Sequence, residues 1–219
     1  MATTIYSSTN DGDIYVTSSP GVSSWENARD STIGTATHNS SRNPDAIKAV
    51  IVGSGRGTHY SVSRAFFEFD TSGITHVPKS GNIQIYGRTN SGADVRVVKS
   101  NQSATLSAGD FDAIEGWVAG GSNTSNVTLY DTAETTFWSV VGYNTITLSQ
   151  QALVDIAGFS KFKCCLIESD HDLRDVTPTA PSGVNTISGV YYTETTGTSF
   201  DPKIVITEQD DAVFFGANF

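Results

Sequence analysis

Short runs of β-branched and aromatic residues recur along the chain, separated by clusters of Gly, Asn, Asp and Ser. Runs of this kind bounded by turn residues predict strands. They fall at 13–16 (DIYV), 46–53 (AIKAVIVG), 61–70 (SVSRAFFEFD), 82–88 (NIQIYGR), 94–100, 126–131, 144–149, 161–169, 189–193 and 202–207. Successive side chains of a strand point to opposite faces. In 61–70, Ala65, Phe67 and Phe69 therefore share one face, and Arg64, Phe66 and Glu68 the other. In 82–88, Ile83 and Ile85 oppose Gln84 and Tyr86. A half-polar second face predicts an antiparallel sheet packed on one side and open on the other.

Two segments break the alternation. Residues 107–118 (SAGDFDAIEGWV) predict a short helix with Asp110 as its N-cap, and 149–158 (SQQALVDIAG) a better one. The second has Ser149 as cap, Leu153 and Ile156 three apart, and Gly158 as stop. Both are expected to cover open ends of a sandwich. The expected fold is all-β: an antiparallel, jelly-roll-like β-sandwich of about ten strands with one or two short capping helices. Residues 1–208 form the domain and 209–219 a C-terminal aromatic tail.

Composition agrees, being rich in Gly, Ser, Thr, Val and Ile and poor in Leu, Glu, Lys and Met. At 219 residues a β domain buries enough surface to need neither disulfide nor metal for its core. The net charge of −10, from 23 acidic and 13 basic residues, repels phosphate backbones and anionic membranes. Nucleic acid and membrane are thus not expected as partners. Cys164 and Cys165 are adjacent, so within a strand they point apart and cannot form an ordinary disulfide; a reducing cytoplasm is expected. The start, MATTIYSSTNDGD, lacks the basic and apolar regions of a signal peptide, and no apolar run is long enough to span a bilayer.

The order of several features resembles the DNRLRE-type β-sandwich modules, a carbohydrate-binding-module-like family, and their phage-borne relatives. The resemblance rests on DGDIYVTSSPGVSSWENARD (11–30), SRAFFEFDTSGI (63–74), NIQIYGR, and the close from NTITLSQQALVDI through KFKCCLIESDHDL to YYTETTGTSFDPKIVITE. It implies a noncatalytic sandwich. A free-standing copy implies a phage virion protein, made in a host cytoplasm without a signal peptide: a capsid decoration or a tail-fibre component. Its partners would be copies of itself, a trimer suiting a decoration role, and a larger capsid or tail protein. The alternative is a module that recognises a cell-surface glycan.

Candidate chemistry is sparse. His38, His59, His76 and His171 sit in polar, turn-like settings, and no metalloprotease, nucleophile-elbow or phosphate-loop motif occurs. GSGRG (53–57) follows a strand but precedes no helix pattern. No enzyme and no cofactor is expected; the acidic loops read first as Asx turns that bond their own backbone, with calcium as the alternative. Calcium favours oxygen ligands on loops. Asn10, Asp11 and Asp13 cluster in one place, and Glu168, Asp170, Asp172 and Asp175 in another, the latter being the preferred site. A glycan platform would draw on exposed aromatics. Trp138, Tyr191 and Tyr192 are the candidates, with Trp25 and Trp117 expected in the core. Finally, the tail EQDDAVFFGANF carries Val213, Phe214, Phe215 and Phe219, too much apolar surface for a solvated end. It is expected either to fold back on its own sandwich or to clasp a neighbouring subunit.

Overall fold

The computed structural model describes residues 1–18, 24–38, 41–54, 57–179, 186–193 and 197–208. The aromatic tail, with Val213, Phe214, Phe215 and Phe219, lies outside them. Among the described residues eleven strands run in chain order: β1 (Ala2–Tyr6), β2 (Gly12–Thr17), β3 (Ala36–His38), β4 (Arg42–Ser54), β5 (Gly57–Asp70) and β6 (Ser80–Asn90). They continue as β7 (Val95–Lys99), β8 (Tyr143–Thr147), β9 (Lys161–Glu168), β10 (Thr186–Tyr191) and β11 (Lys203–Thr207). Every pairing between them is antiparallel. The fold is the all-β sandwich that the alternation predicted.

A front sheet in the order β1-β11-β6-β8 faces a back sheet built on β5. One edge of β5 carries β2 and then β3; the other carries β4 and, farther along, β9 and β7. The sheets join through β10, which pairs with both β4 and β6. Between them lie Ile83, Ile85, Ile146, Ile204 and Ile206 from the front and Ala65, Phe67, Phe69, Val97, Cys164 and Leu166 from the back.

The reverse face of the back sheet is not open, which corrects the expectation for β5. Arg64, Phe66 and Glu68 are buried as well. Phe66, Cys165, Ile167, Val98 and Ile14 pack beneath helix α1 (Trp25–Arg29) and the long connection after β7, contributing to a second core with Phe111, Ile114 and Val127. Cys164 and Cys165 thus enter separate cores, each as a free thiol. The molecule has three layers, and the exposed sheet face is the outer one of the front sheet.

Helix α2 (Gln150–Gly158) forms as expected, with the Ser149 hydroxyl accepting from the Ala152 N–H. The helix expected over 107–118 is only a one-turn 3-10 helix, Ala108–Asp110. Asp110 closes its capping box with Ser107 and also accepts from Ser103, so it holds a loop rather than starting a helix. Residues 126–131 form no strand; they touch the sheets through isolated bridges at Leu129 and Asp131. Asp131 instead receives Arg96 in a bidentate pair and the Val97 N–H. No helix among the described residues is long and apolar enough to cross a membrane.

Candidate interaction surfaces

The outer face of the front sheet follows from register. Tyr6, Lys203, Gln84 and Thr145 lie side by side across β1, β11, β6 and β8, and Thr4, Val205, Asn82 and Thr147 form the next row. Their inward neighbours Ile5, Ile204, Ile83 and Ile146 fill the first core or pack against it. Across 2–6, 80–86, 143–147 and 203–207 the only charged residue is Lys203, in a chain of net charge −10. Most surfaces of acidic proteins are studded with charge; this one is a flat field of Thr, Asn, Gln and Tyr.

At one end of that face an aromatic cluster gathers. Tyr86 meets Tyr143, Tyr191 and Phe200 edge-on at centroid distances of 5.3, 5.5 and 4.7 Å. Tyr191 stacks on Phe200 at 4.8 Å. Cations flank it: the Lys203 ammonium lies 3.9 Å from the Tyr143 ring centre, and the Arg42 guanidinium 5.9 Å from that of Tyr191. The Tyr143 hydroxyl donates to the carbonyls of Ser199 and Asp201, both at 3.1 Å, which fixes the segment carrying Phe200. All four rings are part-exposed.

Of the three expected platform residues, the structure leaves Tyr191 there and removes the others. Trp138 is 2% exposed, its indole N–H donating to the Gly189 carbonyl at 2.9 Å. Tyr192 is fully buried and donates to Asp13 at 2.8 Å. The exposed ring in the TTFWSVV segment is Phe137, at 74%. Gly87 admits this packing, because a Cβ there would meet the Ser139 carbonyl oxygen at 1.8 Å. Trp25 is buried and Trp117 part-buried, as expected of core residues. Tyr86, Tyr143 and Phe200 join Tyr191 in this cluster although the sequence pattern did not single them out; the alternation that put Tyr86 opposite Ile83 and Ile85 was the available signal.

The four carboxylates of the preferred calcium set do not converge. Glu168 caps the π-helical turn Ser169–Leu173, accepting from the N–H groups of Asp170, His171 and Asp172. Burial lifts it to about 7 in spite of those bonds. Asp172 is held by Arg64, and Asp175 accepts from the Trp25 indole N–H at 2.9 Å. Only Asp170 meets other carboxylates, those of Asp94 and Glu134, and Arg174 bridges Asp170 and Glu134 from within that group. Sequence adjacency gathered the four; the turn sends them to different partners.

Two clefts remain. A cleft of about 120 Å³ is lined by Asp13, Tyr15, His38, Asn43, Lys48 and Ser63, among others. His38 lies 3.1 Å from the buried Asp13 carboxylate, whose hydrogen bond pushes its pKa up, and it stacks on Tyr15. The Ser63 hydroxyl donates to the same carboxylate rather than to His38, so the three do not form a nucleophile relay. A second cleft of about 270 Å³ gathers Lys99, Lys161 and Lys163 beside the half-exposed Phe159. Each of these lysines is already ion-paired, with Glu115 and Asp155, with Glu68 and Asp70, and with Glu68.

No family model and no curated protein matches this chain. Its surfaces therefore have to be read from their own chemistry. A flat sheet face with Lys203 as its single charge can be covered with little desolvation of charge, which suits association. An aromatic cluster flanked by cations can present ring faces to a sugar or to a neighbouring chain.

Proposed function

We propose that this protein is a noncatalytic structural component of a phage virion, of the capsid-decoration or tail-fibre type, assembling through the outer face of its front sheet. The observation that carries the reading is the field of Thr4, Asn82, Gln84, Thr145, Thr147 and Val205, with Lys203 as its single charge, on an otherwise acidic molecule. Burying such a face against a copy of itself or a larger capsid or tail protein incurs little charge desolvation, while the acidic remainder keeps copies apart elsewhere. Repetition across a symmetric particle turns weak contacts into stable attachment. The virion itself enters through the resemblance to phage-borne sandwich modules.

Sedimentation velocity over a range of concentrations tests the assembly. The expected result is a discrete oligomer that dissociates in Val205→Glu and Thr145→Glu, with the melting temperature of the monomer preserved. A wild-type chain that stays monomeric at high concentration and fails to join particles would reject it. A second reading, glycan recognition, is favoured by the Tyr86–Tyr143–Tyr191–Phe200 cluster. It predicts array binding that Tyr191→Ala abolishes.

A further inference from the structure

At one end of the sandwich, three chain segments bring oxygen atoms together with too few hydrogens. Asp11, just before β2, is fully buried. Its Oδ2 accepts from the Ser7 hydroxyl at 2.6 Å, the Thr193 hydroxyl at 2.5 Å and the Thr193 N–H at 3.1 Å. The Ser7 and Thr193 hydroxyl oxygens are themselves 2.6 Å apart. Three mutual oxygen contacts thus share two hydroxyl protons. The Thr193 hydroxyl also lies 3.3 Å from the Ser8 carbonyl oxygen and 3.5 Å from that of Ser7.

Two further atoms have no hydrogen-bond partner among the described residues. Oδ1 of Asp11 and Oδ1 of Asp201 are both buried without a hydrogen bond. Asp201, which precedes β11, is 5% exposed. Among the described residues neither carboxylate forms an ion pair. The Ser7 N–H donates to the carbonyl of Pro202, next to Asp201, at 2.8 Å, while its hydroxyl donates to Asp11, so the two acids approach the same residue. Leaving one buried carboxylate oxygen unsatisfied is costly, and leaving two on nearby like charges is more so. Burial lifts Asp11 to about 6, and the charge of Asp201 adds to that shift. A water could bridge the bare oxygens but would leave the double negative charge in place. A proton would neutralise one carboxyl and leave the other bare.

We propose that Asp11 and Asp201 bind a hard divalent cation of the calcium class, drawing on the neighbouring hydroxyl and carbonyl oxygens of Ser7, Ser8 and Thr193. Such a cation takes six to eight oxygen ligands and matches the charge of two carboxylates. It would staple the approach to β2 to the end of β10 and the start of β11. The Asx residues that flank Asp11 in sequence are already used: Asp13 holds His38, Asn43, Ser63 and Tyr192, and Asn10 ties down the loop at Ser103 and Leu106.

The test is thermal unfolding of the whole chain, stripped with chelator, against added calcium at neutral pH, with calorimetric titration of calcium alongside. The expected result is a saturable rise in melting temperature of several degrees with matching binding heat. Asp201→Asn, which keeps the side-chain size, should abolish both while remaining folded; Asp11→Asn should do the same. No rise and no heat with millimolar calcium would overturn the proposal. So would a rise that persists undiminished in Asp201→Asn, which would place the ion elsewhere. An Asp11→Asn chain more stable than wild type in saturating calcium would also overturn it, since that would mean Asp11 carries a proton instead.

Discussion

Arg64 and Asp172 form a fully buried bidentate ion pair, Nε to Oδ2 at 2.8 Å and Nη2 to Oδ1 at 2.7 Å. Arg64 comes from the centre of β5 and Asp172 from the π-helical turn after β9. Two of the three remaining guanidinium hydrogens reach the carbonyls of Phe111 and Arg29. Both buried guanidiniums, of Arg64 and Arg29, lie over the Trp117 ring, at 4.0 and 4.5 Å from its centre. This pair fastens the loop layer to the back sheet.

Arg64→Met should therefore destabilise the protein by about 3–5 kcal/mol, because Asp172 loses its two-pronged partner in the core and keeps only the longer 3.9 Å approach of Arg29. Arg64→Lys should not restore stability, since an ammonium cannot make the two-pronged contact. Urea unfolding of the three chains checks both statements.

Trp138 and Tyr191 should respond oppositely to truncation. Trp138→Ala removes a buried indole and its bond to Gly189, for a loss of about 3–5 kcal/mol. Tyr191→Ala, at a part-exposed position, should cost about 1 kcal/mol. Gly87→Ala should resemble the Trp138 variant, since the new methyl would displace the Ser139 backbone. Equilibrium unfolding separates the two classes.

Stability should fall as pH rises through neutrality. Glu168 titrates near 7 in the fold against an ordinary 4.5, so the folded chain retains a proton that the unfolded chain has released. Its contribution declines from about pH 4.5 and levels off above 7, by about 3 kcal/mol in all. His38 acts in the same direction: its pKa is raised above 6.5, so its contribution is full below that value and lost as pH passes the folded one. Melts at a series of pH values should show the decline, and Glu168→Gln should flatten its lower part.

Neither thiol should react in the native protein. Cys164 and Cys165 are fully buried, and burial pushes both thiols well above the usual range, so little thiolate exists. Iodoacetamide should label both only as fast as the chain unfolds. Labelling of either at native rates independent of denaturant would contradict the two-core arrangement.

Alternation in the sequence determined most of the strands, the all-β class and the division of Cys164 from Cys165, because a strand's period of two is a local property. Ser149 and Gly158 likewise marked α2, since capping acts within one turn. The short front-edge strand β1 escaped notice, because its Thr-rich ATTIY pattern gains strand character only by pairing with β11.

Tertiary structure alone decided what each polar residue does. Arg64 looked like an outward charge until Asp172, 108 residues away, neutralised it under a third layer. Trp138 looked exposed until Gly87 made room for its loop. Glu168, Asp170, Asp172 and Asp175 looked like one cation site, yet their turn turned each toward a different partner. Asp11 and Asp201 lie 190 residues apart in the chain, and only the tertiary fold brings their segments together, through the Ser7 N–H donating to the Pro202 carbonyl at 2.8 Å.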